Sequence, residues 1–293
     1  MKIYQPNQIF RSQIPTKESI TQVYEKTKEI LHNMVEEKQL LGACSYGSVP
    51  NKTFEINSDI DWIFLFEDHK NILNSKELKS IFELHKQNYI DFNPPITTLN
   101  YIRQKFHHLN ITDEIKKQNS REVIGLDPIQ TYYKYANTSD YLLAINAQFQ
   151  DFNKTYFENI IYNYSIKSNL SNYIVCLETA FNACQFIRRN MLSYTQDFEQ
   201  NLNQNQKIEQ IYSSIFADFI SPESLEFNLK IDIFKSDYLE LLNKTVVGEV
   251  SMLSINNYIK FLMDQESFIL ESFQFCSENL EIFEKILSPK YIL

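Results

Sequence analysis

Glycine is nearly absent, with four in 293 residues. A chain so poor in glycine is neither a collagen-like repeat nor a Gly-rich linker, and each glycine that remains marks a place where the backbone needs one. Two of the four, Gly42 and Gly47, fall in one short stretch. Cysteine is as scarce: Cys44, Cys176, Cys184 and Cys276. They form no Cys-x-x-Cys pair and no histidine stands at metal-ligand spacing from them, which excludes a thiolate zinc site or disulfide scaffold and sets the expectation of a reducing, cytoplasmic compartment. No apolar run reaches the roughly 18 residues that span a bilayer, so no membrane association is expected. The opening MKIYQPNQIFRSQIP lacks the long apolar core of a signal peptide. A basic stripe is also missing. Net charge is −9, and the densest basic runs, Lys116-Lys117 and Arg188-Arg189, are short. That balance counts against a nucleic-acid partner and leans toward a neutral or cationic small substrate.

What the chain does have is bulk. Apolar residues make up 43%, with 22 Phe and 18 Tyr, enough for buried cores and far from a disordered composition. Residues 1–15 read as an irregular lead-in. Thr16 to Lys38 reads as a helix, with Ile20, Val23, Ile30, Leu31, Met34 and Val35 on one stripe. Leu40 to Tyr46 has the length and apolarity of a strand, and Asp59 to Phe66 is a second. Asn74 and Glu77 form a capping-box pattern for a helix running to about Gln87. Tyr89 to Phe92 is expected as a third strand, closed by Pro94-Pro95. Ile96 to Ile102 fits a further strand or the entry to a helix. Gly125-Leu126-Asp127-Pro128 signals a turn, with Asp127 as the cap of the next helix. Beyond it helical periods dominate: Ile129–Lys134, Tyr141–Phe149, Tyr156–Ile166, Ser171–Leu192, Gln206–Phe219, Lys230–Leu242, Ser254–Phe275 and Leu280–Leu287. Ser221-Pro222 marks a further helix start. Tyr173 to Arg189 is the most apolar stretch and is expected at the centre of a bundle. The expected fold class is therefore α+β: a small mixed β-sheet with flanking helices over residues 1–125, followed by an all-α helical domain over 126–293.

One stretch carries chemistry. Tyr46-Gly47-Ser48 is followed, after residues 49–58, by Asp59-Ile60-Asp61-Trp62. On a strand, residues i and i+2 share a face, so Asp59 and Asp61 project side by side. Two carboxylates that close repel unless a cation lies between them, and Mg²⁺ is held by one or two carboxylates together with substrate phosphates. A glycine after an apolar strand lets the backbone approach a ligand, and free N–H groups in the turn behind it face a phosphate. His107-His108 is a poor two-ligand pair, because neighbours on a helix diverge by about 100°.

This arrangement resembles the signature of the DNA polymerase β-like nucleotidyltransferase superfamily: an apolar residue, Gly, Gly or Ser, a gap, then acid-apolar-acid-apolar. The resemblance covers roughly residues 18 to 110. It implies a third carboxylate on a later strand, matched by Asp91 in Tyr89-Ile90-Asp91-Phe92. It implies Asp59, Asp61 and Asp91 as catalytic and metal-binding residues, with Mg²⁺ in a two-metal site. It implies Gly47 and Ser48 as holders of the triphosphate of an NTP, best ATP. Members often carry Arg-Gly after the Gly-Ser pair; Pro50-Asn51-Lys52 stands there instead, with Lys52 in place of the Arg. The two-part layout is similar to bacterial antibiotic nucleotidyltransferases of the aminoglycoside and lincosamide type. That similarity implies transfer of a nucleoside monophosphate to a hydroxyl of a small molecule. Transfer to tRNA or to a protein, as in toxin-like relatives, stays open. So does an inactive binding module that keeps the fold. The sequence leaves the oligomeric state open.

Overall fold

One alternating strand sets the architecture of the computed structural model. In β2 (Asp61–Phe66) the even-numbered residues Trp62, Phe64 and Phe66 point into one core, and Ile63 and Leu65 are buried on the opposite face. A strand covered on both sides must be internal, and β2 is. The sheet has four strands in the order β3-β2-β1-β4. Here β1 is Gly42–Tyr46, β3 is Ile96–Thr98 and β4 is Glu122–Gly125. β1 is antiparallel to both β2 and β4, and β2 is parallel to β3. The structure describes residues 1–56, 58–92, 94–100, 121–135, 169–193, 212–214, 216–247 and 250–291.

The chain divides into two compact units, 13–151 and 1–12 with 152–293. The sequence places its boundary at 125/126; the unit with the sheet extends further, and the first residues group with the helices. In the sheet unit, α1 (Pro6–Phe10) has already been left behind, and α2 (Lys17–Glu36) begins at Thr16, whose hydroxyl accepts the Ser19 N–H at 3.1 Å. α3 (His69–Asn74) and α4 (Lys76–Gln87) follow β2. Ile20, Val23, Leu31 and Met34 of α2 and Leu78 and Ile81 of α4 join Trp62, Phe64, Phe66, Ala43 and Ile124 in one core. α5 (Pro128–Tyr135) contacts β1 and β2. Asp127 caps it, accepting the Ile129 N–H at 2.9 Å.

Two expectations are corrected here. The cap of α4 is Ser75, whose hydroxyl accepts the Leu78 N–H at 2.9 Å, and Asn74 instead ends α3. Tyr89 to Phe92 is not a strand: Tyr89 sits at φ 58, and the chain turns there because its N–H and that of Ile90 bond back to Lys86 and His85. The strand beside β2 starts after the two prolines, with Phe64 N–H bonding to the Pro95 carbonyl at 3.0 Å.

The second unit is helical: α1, α6 (Leu170–Ser193), α7 (Pro222–Val247), α8 (Met252–Met263) and α9 (Glu266–Tyr291). The lead-in thus contains a helix. The break between α8 and α9 divides the stretch read as Ser254–Phe275, and Leu280–Leu287 continues α9. Likewise Pro222–Val247 is continuous across Lys230. α6 lies at the centre, with Ile174, Cys176, Leu177, Ala180, Phe181, Ala183, Cys184 and Ile187 buried. The Tyr4 backbone is held at both ends, its N–H by the Tyr238 hydroxyl at 3.1 Å and its carbonyl by the Tyr258 hydroxyl at 2.7 Å. Buried Arg188 meets Asp232 as a two-pronged pair at 2.6 and 3.0 Å. Residues 141–149, 156–166, 206–211 and His107-His108 lie outside the described residues. Among the described residues, no helix is long and apolar enough to cross a membrane.

Candidate active site

The antiparallel register of β1 and β2 pairs Tyr46 with Asp61. That pairing brings the Gly-Ser turn and the acid pair to the same end of the sheet. Gly47 follows β1 at φ +83, and a Cβ there would overlap the Asp61 carboxylate. Glycine is therefore required twice over, by the backbone conformation and by the close approach of the acid. Ile60 is buried in the same core as Trp62, so Asp59, exposed, and Asp61, half-buried, alternate with them on the other face.

Ser48 opens a turn. The Thr53 N–H bonds to the Ser48 carbonyl and the Lys52 N–H to the Val49 carbonyl, both at 3.0 Å, with Lys52 at φ 58. This is the hydrogen-bond pattern that closes a helix C-terminus, made around a single turn, with lysine where glycine or asparagine is usual. The Asn51 amide donates to the Gly47 carbonyl at 2.7 Å and ties the turn to the end of β1. Lys52 is exposed.

Asp91 is exposed and lies on the loop before β3, between buried Ile90 and half-buried Phe92. Those two neighbours pack with the core on the α2 side: Phe92 stacks on His85 at 3.7 Å and contacts Phe64 at 6.1 Å. Among the described residues, no group of three or more His, Cys, Asp or Glu is placed to share a metal ion. The structure thus brings Gly47 against Asp61, leaves Asp59 exposed just before β2, and leaves Asp91 exposed on the loop before β3.

On the opposite face of the same strands lies a polar chain that the motif gives no hint of. Ser45, on β1, is fully buried, and its hydroxyl meets the Tyr24 hydroxyl at 2.7 Å. Tyr24 donates to the Glu122 carboxylate on β4 at 2.5 Å, and Lys28, one turn along α2, reaches Glu122 at 2.5 Å. Burial, with the bond to Glu122, pushes the Tyr24 phenol well up. Burial alone would raise Glu122, but the bonds from Lys28 and Tyr24 outweigh it and hold the carboxyl below its usual range. The Tyr24 ring also stacks on Trp62 with centroids 5.5 Å apart. Cys44, under the acid face, is a buried thiol pushed up to about 12, chiefly by burial, and is unreactive there. Sequence spacing gives no sign of this chain, because its members come from residues 24, 28, 45 and 122 on three elements.

No protein-family model matches the sequence, and no curated protein matches it.

Proposed function

We propose that the sheet unit is a metal-dependent nucleotidyltransferase domain. The observation that carries this reading is the abutment of Gly47 and Asp61: a left-handed glycine turn and an acid-bearing strand end meet at one end of the two central strands of a small mixed sheet. Hard carboxylate oxygens from Asp59 and Asp61 suit Mg²⁺, which takes its remaining ligands from substrate phosphates and needs no closed protein cage. When bound, the metal supplies charge neutralisation on the phosphates. Gly47, Ser48 and Lys52 hold the triphosphate of the NTP, ATP by preference, with turn N–H groups and one cation. Asp91 accepts the proton of the acceptor hydroxyl. The nucleoside monophosphate passes to that hydroxyl and pyrophosphate leaves.

The acceptor on this reading is a small molecule of aminoglycoside type, with tRNA or protein as the competing acceptors. The net charge of −9 supports a cationic acceptor. Asp59→Ala and Asp61→Asn are expected to lower nucleotide turnover by about 10²-fold or more while the melting temperature stays near that of the parent. Asp91→Asn is expected to lower kcat and leave the KM for NTP in place. Labelled nucleotides incubated with aminoglycosides, tRNA and protein identify the acceptor. Turnover that survives both Asp59→Ala and Asp61→Asn would sink the reading.

A further inference from the structure

Tyr24 touches both strands that carry the motif, β1 and β2, from the face opposite the carboxylates. Its hydroxyl bonds to Ser45, two residues before Gly47 on β1, at 2.7 Å. Its ring stacks on Trp62, the residue after Asp61 on β2, at 5.5 Å. The same hydroxyl is anchored in turn to Glu122 at 2.5 Å, and Glu122 to Lys28 at 2.5 Å. α2 thus supplies two side chains that close on one carboxylate of β4, and the strand that ends in the Gly-Ser turn pairs alongside β4, with Ser45 opposite Glu122.

We infer that Tyr24 is a positioning residue for the Gly47–Ser48 turn, acting through Ser45 and Trp62 and held by Glu122. This rests on the nucleotidyltransferase reading for its functional consequence, though not for its geometry. The Ser45 hydroxyl is fully buried, so its side of the bond has no water to fall back on. The end of β1 is then fixed from below by the phenol and from above by the Asp61 carboxylate against Gly47. A site that must hold phosphates to a fraction of an ångström needs its supporting shell locked in this way. A shift of about 1 Å in such a loop costs on the order of 10²-fold in rate.

The test is Tyr24→Phe, which keeps the ring on Trp62 and removes only the hydroxyl, with Ser45→Ala and the double variant. Amide hydrogen exchange is read at residues 46–53 and at α4, alongside turnover of MgATP. Tyr24→Phe is expected to speed exchange in 46–53 by several-fold and leave α4 unchanged. In turnover, it is expected to raise the KM for ATP or lower kcat by about tenfold per folded molecule. The double variant should lose no more than Tyr24→Phe alone, since that change already removes the Tyr24–Ser45 bond that Ser45→Ala removes. Unchanged exchange in 46–53 would overturn the inference. If the parent protein turns over no nucleotide but the turn still loosens in Tyr24→Phe, the positioning role stands and the enzymatic reading is what has failed. If the parent is active, a Tyr24→Phe protein with unaltered kinetic constants also overturns it.

Discussion

Gly47 shows how much one residue decides. Its φ of +83 lies in the region glycine tolerates, and the space a Cβ would fill is taken by the Asp61 carboxylate. Gly47→Ala is therefore expected to cost about 1–3 kcal/mol in urea unfolding and to displace the acid beside it. Gly42 is glycine for a different reason: a Cβ there would overlap the Leu126 carbonyl, where β1 runs beside the end of β4. Both glycines were conspicuous in the sequence because so few exist, and the motif around Gly47 was legible from spacing. Tyr24 was not. In the sequence it is one of the chain's 18 tyrosines, set within a helix, and its partners Ser45 and Glu122 are brought to it only by the sheet.

At the scale of elements, periodicity carried the long amphipathic pieces and misplaced the short ones. α2 follows its apolar stripe from a Thr16 cap, and β2 follows its alternation. The segment after α4 went wrong for a local reason. Tyr89-Ile90-Asp91-Phe92 has the composition of a strand, but the helix ends by folding its last N–H groups back on His85 and Lys86, which forces Tyr89 to positive φ. Extended pairing then begins only after Pro94-Pro95. The start of α4 is a similar near miss, since Asn74 and Ser75 are adjacent and both are good caps. Ser75→Ala should cost about 1 kcal/mol in thermal or urea unfolding and Asn74→Ala almost nothing, because the hydroxyl of Ser75 receives the Leu78 N–H.

For the molecule as a whole, acid stability has a clear liability among the described residues of the sheet unit, His85. It is fully buried, stacked on Phe92, bonded through Nε2 to the Thr27 hydroxyl at 3.1 Å, and its Nδ1 has no partner. Burial pushes it down from 6.5 to about 3. Above about pH 6.5 it is neutral in both the folded and unfolded chain and contributes no pH dependence. As pH falls from there toward 3, the unfolded chain takes up a proton that the folded one refuses, and stability is lost through that window. Between about pH 7 and about pH 4.5 this amounts to roughly 2–3 kcal/mol. Urea unfolding across that range should show the loss in the parent protein, and His85→Gln should flatten it; equal slopes in the two would contradict the assignment.

The sequence by itself determined the α+β character, two strands within Leu40–Tyr46 and Asp59–Phe66, the long helix before them and, among the described residues, the helical character beyond Pro128, because each follows from a local period of apolar residues. It also set apart Gly47, Asp59 and Asp61, because rare glycine and spaced acids are visible without a fold. Only the tertiary structure decided that Glu122 lies in a strand beside β1, that residues 1–12 group with the helices, and that Gly47 and Asp61 press together. It also decided that Tyr24 supports both motif strands from behind. Each of these joins residues far apart in the chain. Such pairings depend on which strands align and which faces are buried together, and no local pattern encodes them.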